Sequence, residues 1–274
     1  MTIHSYQLLS GAEPVLHRLA TEARFARSGP FYSQLGPIIS TIEEKYPEWL
    51  VGGEGVRAHE VTFVSIADGT EVSLSDLGYR VVLTGRNDRR GYEVDDVISY
   101  SRNCEFIDDF YRSRVDPTEF LRFGFRHWWY FYFENEDLAH EWIRRTGLFN
   151  AGPLEREFAG HPIKSSYVGV FAGEKRDVRI SLSVIEFAPE LEREEQINSI
   201  KTHTLSEKQQ AALIRQQKMA ASRIRRGKTF AAAIDFDSYQ EFPSKELDVG
   251  AFIRDESREL ITKIRAASTE AESS

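Results

Sequence analysis

Fourteen residues in the middle of the chain constrain the fold more than any others. They read Phe-Leu-Arg-Phe-Gly-Phe-Arg-His-Trp-Trp-Tyr-Phe-Tyr-Phe over 120–133. Aromatic and β-branched side chains favour strands, where successive side chains point to opposite faces of a sheet. With period two, Leu121, Phe123, Phe125, Trp129, Phe131 and Phe133 share one face. Arg122, Gly124 and Arg126 share the other, followed by Trp128, Tyr130 and Tyr132. The pattern predicts a central strand with one buried face. It also admits a sharper reading, in which Arg122, Arg126, Trp128 and Tyr130 form an aromatic and basic platform for a planar or anionic group.

Around this strand the chain alternates in period. Residues 16–25 admit a strand or a short helix. Gly29-Pro30 breaks the chain, and Leu35, Ile38, Ile39 and Ile42 place a helix over 31–46, which Pro47 limits. The glycine-rich stretch 50–55 reads as a loop and 60–67 as a strand. Residues 79–84 and 92–100 read as a hairpin around a basic turn, Arg86 to Arg90. A short helix is expected over 105–114 and another over 135–146. After Gly152-Pro153 and Gly160-His161-Pro162 the pattern begins again. Strands are expected at 166–172, 178–187 and 230–236, and an amphipathic helix at 247–267. The expected class is therefore α+β: two related halves, 1–150 and 151–274, with antiparallel meandering sheets and packed helices. A basic helical insertion lies near 201–228.

Composition narrows the function classes. The chain has 274 residues and a single cysteine, Cys104, so it can form no intrachain disulfide and no cysteine-based zinc site of its own. That usage fits a reducing compartment, and no apolar run is long enough to span a bilayer, so a cytoplasmic protein without membrane contact is expected. The net charge is −8, so nucleic acid would have to be met by a local basic patch. One such patch is present: Lys218, Arg223, Arg225 and Arg226 within 201–228 would suit phosphates or an acidic partner surface.

Asp235 and Asp237 fall on one face of a strand. Two carboxylates at that spacing suit a divalent cation or acid/base work, and Glu186 is the candidate for a third because it follows the apolar parity of Ile180, Leu182 and Val184. No histidine pair has ligand spacing, and no phosphate-binding loop or nucleophile elbow is present. Cys104 reads as a buried structural thiol.

Three stretches, in order, resemble a sporadically distributed bacterial family of uncharacterised proteins of similar length. They are Ala23-Arg24-Phe25 with the following helix and Tyr46-Pro47, then Arg122-Phe123-Gly124-Phe125-Arg126, then Ile234-Asp235-Phe236-Asp237 with the final helix. The chain differs where Leu16 to Glu22 replaces the family's proline-led apolar strand. The resemblance implies architecture, and its patchy distribution implies an accessory or defence-related role. The expectation is a non-enzymatic binding or assembly protein with a protein partner or a second copy of itself, and with no cofactor. It would be a component of a bacterial defence or toxin-antitoxin module. The alternatives are a metal-dependent hydrolase or nuclease using Asp235 and Asp237, and a nucleic-acid binder acting through 201–228.

Overall fold

The computed structural model describes residues 14–57, 59–65, 69–84, 91–145, 166–173, 176–187, 210, 214 and 229–259. Its elements run β1 (Val15–Phe25), α1 (Pro30–Lys45), β2 (Leu50–Arg57), β3 (Glu60–Ser65), β4 (Thr70–Ser75), β5 (Gly78–Thr84) and α2 (Val94–Val115). They continue with β6 (Phe120–Phe133), α3 (Glu136–Arg145), β7 (Tyr167–Phe171), β8 (Asp177–Phe187) and β9 (Thr229–Glu241). A final helix, α4, is described over 249–259. The nine strands form one antiparallel sheet in the order β2-β3-β4-β5-β1-β6-β9-β8-β7. This is an α+β architecture. Strands β1 and β6 pair at its centre, and β6 pairs in turn with β9, so strands from 1–150 and from 151–274 share a single sheet.

The helices cover one face. Phe31, Ile38 and Ile42 of α1, Trp142 and Ile143 of α3, and Val249 and Ile253 of α4 belong to the same buried cluster as Phe123, Phe125, Phe131 and Phe133 of β6. Helix α2 contributes Val97, Tyr100, Cys104, Ile107, Tyr111 and Val115, all buried and spaced three or four apart. That is one helical face.

Three local expectations change. Residues 94–100 belong to α2, with Tyr92 and Glu93 just before it, and form no strand. Glu93 and Asp96 close a capping box at the helix start, with the Glu93 amide donating to Asp96 Oδ2 at 3.0 Å. Residues 50–55 lie in a strand, because Leu50 and Val51 pair with Val64 and Phe63. Gly52 is required there, since a Cβ would come within 2.5 Å of Val64 Cγ2. Strand β4 was not anticipated, although its residues alternate strictly between buried and half-buried.

Candidate functional site

The other face of the sheet carries charge. In β6 the parity read from the sequence holds: Phe123 and Phe125 point into the helix layer, and Arg122, Gly124, Arg126 and Trp128 line a cleft of about 780 Å³ on the open side. Strand pairing decides what joins them. Arg24 stands opposite Arg122, Glu22 opposite Gly124, and Ala20 opposite Arg126 on β1. On β9, Glu241, Tyr239 and Asp237 stand opposite the same three residues. One strand further out, Arg80 pairs with Glu22 and Arg179 with Asp237. Val168 and Val170 of β7 close the far wall.

Most of these charges are held by one another. Arg126 makes a two-pronged contact with Asp235: Nε donates to Oδ1 at 2.7 Å and an Nη donates to Oδ2. This hydrogen bond raises the Arg126 pKa, against the opposing effect of burial. Ser181 Oγ also donates to Asp235, at 3.3 Å. Arg122 reaches Asp237 at 3.4 Å and lies 3.6 Å from Glu241. Arg24 pairs with Glu22. Burial pushes the Asp237 carboxyl above its ordinary range, and the neighbouring Arg122 and Arg126 pull it back only in part. The ring of Trp128 has guanidinium groups from Arg126 at 4.6 Å and Arg18 at 4.9 Å, and Arg122 lies 4.4 Å over Tyr239.

Two guanidinium groups of the cleft stand outside these contacts. Among the described residues, neither Arg80 nor Arg179 makes an ion pair or a side-chain hydrogen bond. Gly124 sits between them as a floor with no side chain. A Cβ there would meet only ordinary contacts, 3.5 Å from Asp237 Oδ1 and 3.6 Å from Tyr239 Cβ. Its emptiness is therefore not forced by backbone crowding.

The structure separates the rest of the sequence-predicted set. Tyr130 is buried and stacked on His17, with ring centroids 4.4 Å apart, in a small cluster with Tyr132, Ala231 and Ala233. It does not line the cleft. Glu186 is exposed, and its parity in β8 is that of Leu182 and Val184, whose side chains pack into the helix-side core. It therefore lies on the opposite side of the sheet from Asp235 and Asp237, which corrects the idea of a third carboxylate beside them. Among the described residues no group of three His, Cys, Asp or Glu side chains could hold a metal ion. Lys218, Arg223, Arg225 and Arg226 lie outside the described residues.

Sequence reasoning missed Arg24, Arg80, Arg179, Glu22, Tyr239 and Glu241. Each sits on a strand whose local pattern is ordinary; Glu22 with Arg24, and Tyr239 with Glu241 in continuation of Asp235 and Asp237, showed the two-residue spacing of a shared face. Two reactive-looking side chains are placed away from the cleft. The Cys104 thiol is buried in the helix layer beside Tyr100, where burial pushes it up to about 12. His127 is buried on the core face, where burial lowers it to about 3 and its Nδ1 accepts a 2.7 Å hydrogen bond from Trp129 Nε1. No helix among the described residues is long and apolar enough to cross a membrane. Comparison with protein-family models, with curated proteins and with solved structures found nothing that matches this chain.

Proposed function

We propose that this chain is a binding protein whose ligand or partner docks on the open face of the sheet. One observation carries the reading: five arginines and four carboxylates are raised on one face around a glycine floor, while the opposite face is filled by the core. Charges gathered at such density repay their desolvation only through good pairing, and charged residues used simply to solvate a surface do not need this register. Mutual pairing holds Arg24, Arg122 and Arg126 in place before anything binds, which lowers the cost of ordering them. Cys104 and His127, the side chains best suited to nucleophilic or proton-transfer chemistry, sit under the sheet, which supports binding over catalysis.

The pairing of Asp235 with Arg126, and of Asp237 with Arg122, weighs against the metal-dependent hydrolase reading. Saturable Mg²⁺ or Mn²⁺ binding by calorimetry, lost in Asp235→Ala, would revive it. The strand order on either side of the β1–β6 pair supports two related units, each a strand and helix followed by a meander and a second helix, with the division falling between α2 and β6 and not near residue 150. The wider role, a component of a bacterial defence or toxin-antitoxin module, rests on the family resemblance alone.

The binding face is tested with a photo-crosslinking amino acid at Val170, an exposed wall of the cleft, and at Tyr32, exposed on α1. Adducts in the native host are expected from position 170 and not from 32. Adducts from 32 alone would remove the proposal.

A further inference from the structure

This inference rests on the open face being a binding surface and names the chemistry it takes. We propose that the cleft over Gly124 binds a small dianionic ligand through a phosphoryl group, with Arg80 and Arg179 as the cations it recruits.

The placement of those two arginines is the first argument. Each lies two strands from Gly124, Arg80 across β1 and Arg179 across β9. At roughly 4.8 Å per strand and 3.4 Å per residue, the Arg80 backbone stands about 10 Å from the floor, and that of Arg179, in register with Arg126 through Asp237, about 12 Å on the other side. An arginine side chain covers most of that distance, and both line the cleft. Guanidinium groups present planar forks of N–H donors that match phosphoryl oxygens. The other three arginines are in ion pairs, whereas Arg80 and Arg179 make none among the described residues, Arg179 acting on the neighbouring Asp237 only through its longer-range field.

Size and charge balance give the second argument. A cleft of about 780 Å³ falls within the roughly 300–1,000 Å³ typical of small-molecule sites. Glu22, Asp237 and Glu241 share the cleft with the arginines, so the net positive charge is small. A polyanion needs a continuous basic track, which the described residues of this face do not form. A dianion matches two arginines that stand outside the ion pairs.

The third argument concerns the aromatics. The rings of Trp128 and Tyr239 already carry guanidinium groups against them. Recognition therefore proceeds through charge-assisted hydrogen bonds and not through stacking of a base.

Calorimetry of the full chain at low salt, with pyrophosphate, AMP and succinate as probes, tests the proposal. Pyrophosphate and AMP are expected to bind saturably at one site, and succinate at least tenfold more weakly. Arg80→Ala and Arg179→Ala should each weaken the phosphate probes by roughly ten- to a hundredfold. Gly124→Leu should abolish binding while the circular dichroism melt stays cooperative. The proposal is overturned if no phosphate probe gives saturable heat at millimolar concentration, if succinate binds as well as the phosphates, or if Gly124→Leu binds like the parent. Failure of every probe together with a crosslinked protein at position 170 would sink this inference and leave the binding face standing.

Discussion

The two faces of the sheet are made by the same strands, yet they hold themselves together by different physics. In β6, Phe125 and Gly124 are neighbours in sequence and face opposite ways. Phe125 is fully buried under the helices, within 6.3 Å of Tyr100 and 5.4 Å of His127 by ring centroid. Gly124 is the floor of an open cleft. The helix face gains stability from apolar area and close packing, which are insensitive to salt. The open face contributes through pairs of charges, which salt and pH can weaken. A protein that needs only to fold has little use for the second face, and this asymmetry is what points to binding.

The largest expected effect comes from exchanging one face for the other in adjacent residues. Phe125→Ala should cost about 3–5 kcal/mol in chemical denaturation, because a large buried ring is replaced by a cavity. Gly124→Ala should stay within about 0.5 kcal/mol of the parent, because its new methyl meets only ordinary contacts. Equal effects at the two positions would break the comparison.

The next effect is a pH slope that belongs to the core face. His127 is held neutral in the folded chain down to about 3, whereas the exposed imidazole titrates near 6.5. The unfolded chain therefore binds the extra proton first, and stability falls as pH drops from about 6.5 towards 3. The limiting slope for one proton is about 1.4 kcal/mol per pH unit. Asp237 acts with the opposite sign. Its folded carboxyl keeps its proton to higher pH than in the unfolded chain, so its contribution is present in acid and lost as pH rises through the folded value. Stability curves of the parent and of His127→Gln should converge near neutrality and separate in acid, and parallel curves would refute the assignment.

The smallest effect separates the paired charges of the open face. Asp235→Ala leaves Arg126 half-buried without its carboxylate and should cost about 1–2 kcal/mol, discounted because Arg126 is 42% exposed. Asp237→Asn should be nearly neutral, since burial already disfavours the charged form of that carboxyl. A loss at Asp237 as large as at Asp235 would show that the open face is a single network and not a set of separate pairs.

Much of one strand was legible in advance. The alternation in 120–133 located the core face, and Asp235 and Asp237 were correctly put on one side of β9 with no tertiary knowledge. The long helix over 94–115 was also readable, through Val97, Tyr100, Cys104, Ile107 and Tyr111, but Tyr92, Val94, Val97 and Ile98 imitate a strand when read locally. Strand β2 was hidden by its glycines, which a loop uses for freedom and this strand uses for close approach to Val64. The cleft was the least legible part. Arg80 and Arg179 are 99 positions apart, and nothing near either marks it as a cleft residue.

What the amino acids settled alone is which way each side chain of a strand points, because that alternation is a property of the local backbone. Which strands lie side by side, and so which arginines surround Gly124, was decided by the pairing of β6 with β1 and β9 and of those two with β5 and β8. Pairing joins residues about a hundred positions apart through backbone hydrogen bonds that every residue but proline can donate, so the order of strands leaves no local mark in the chain.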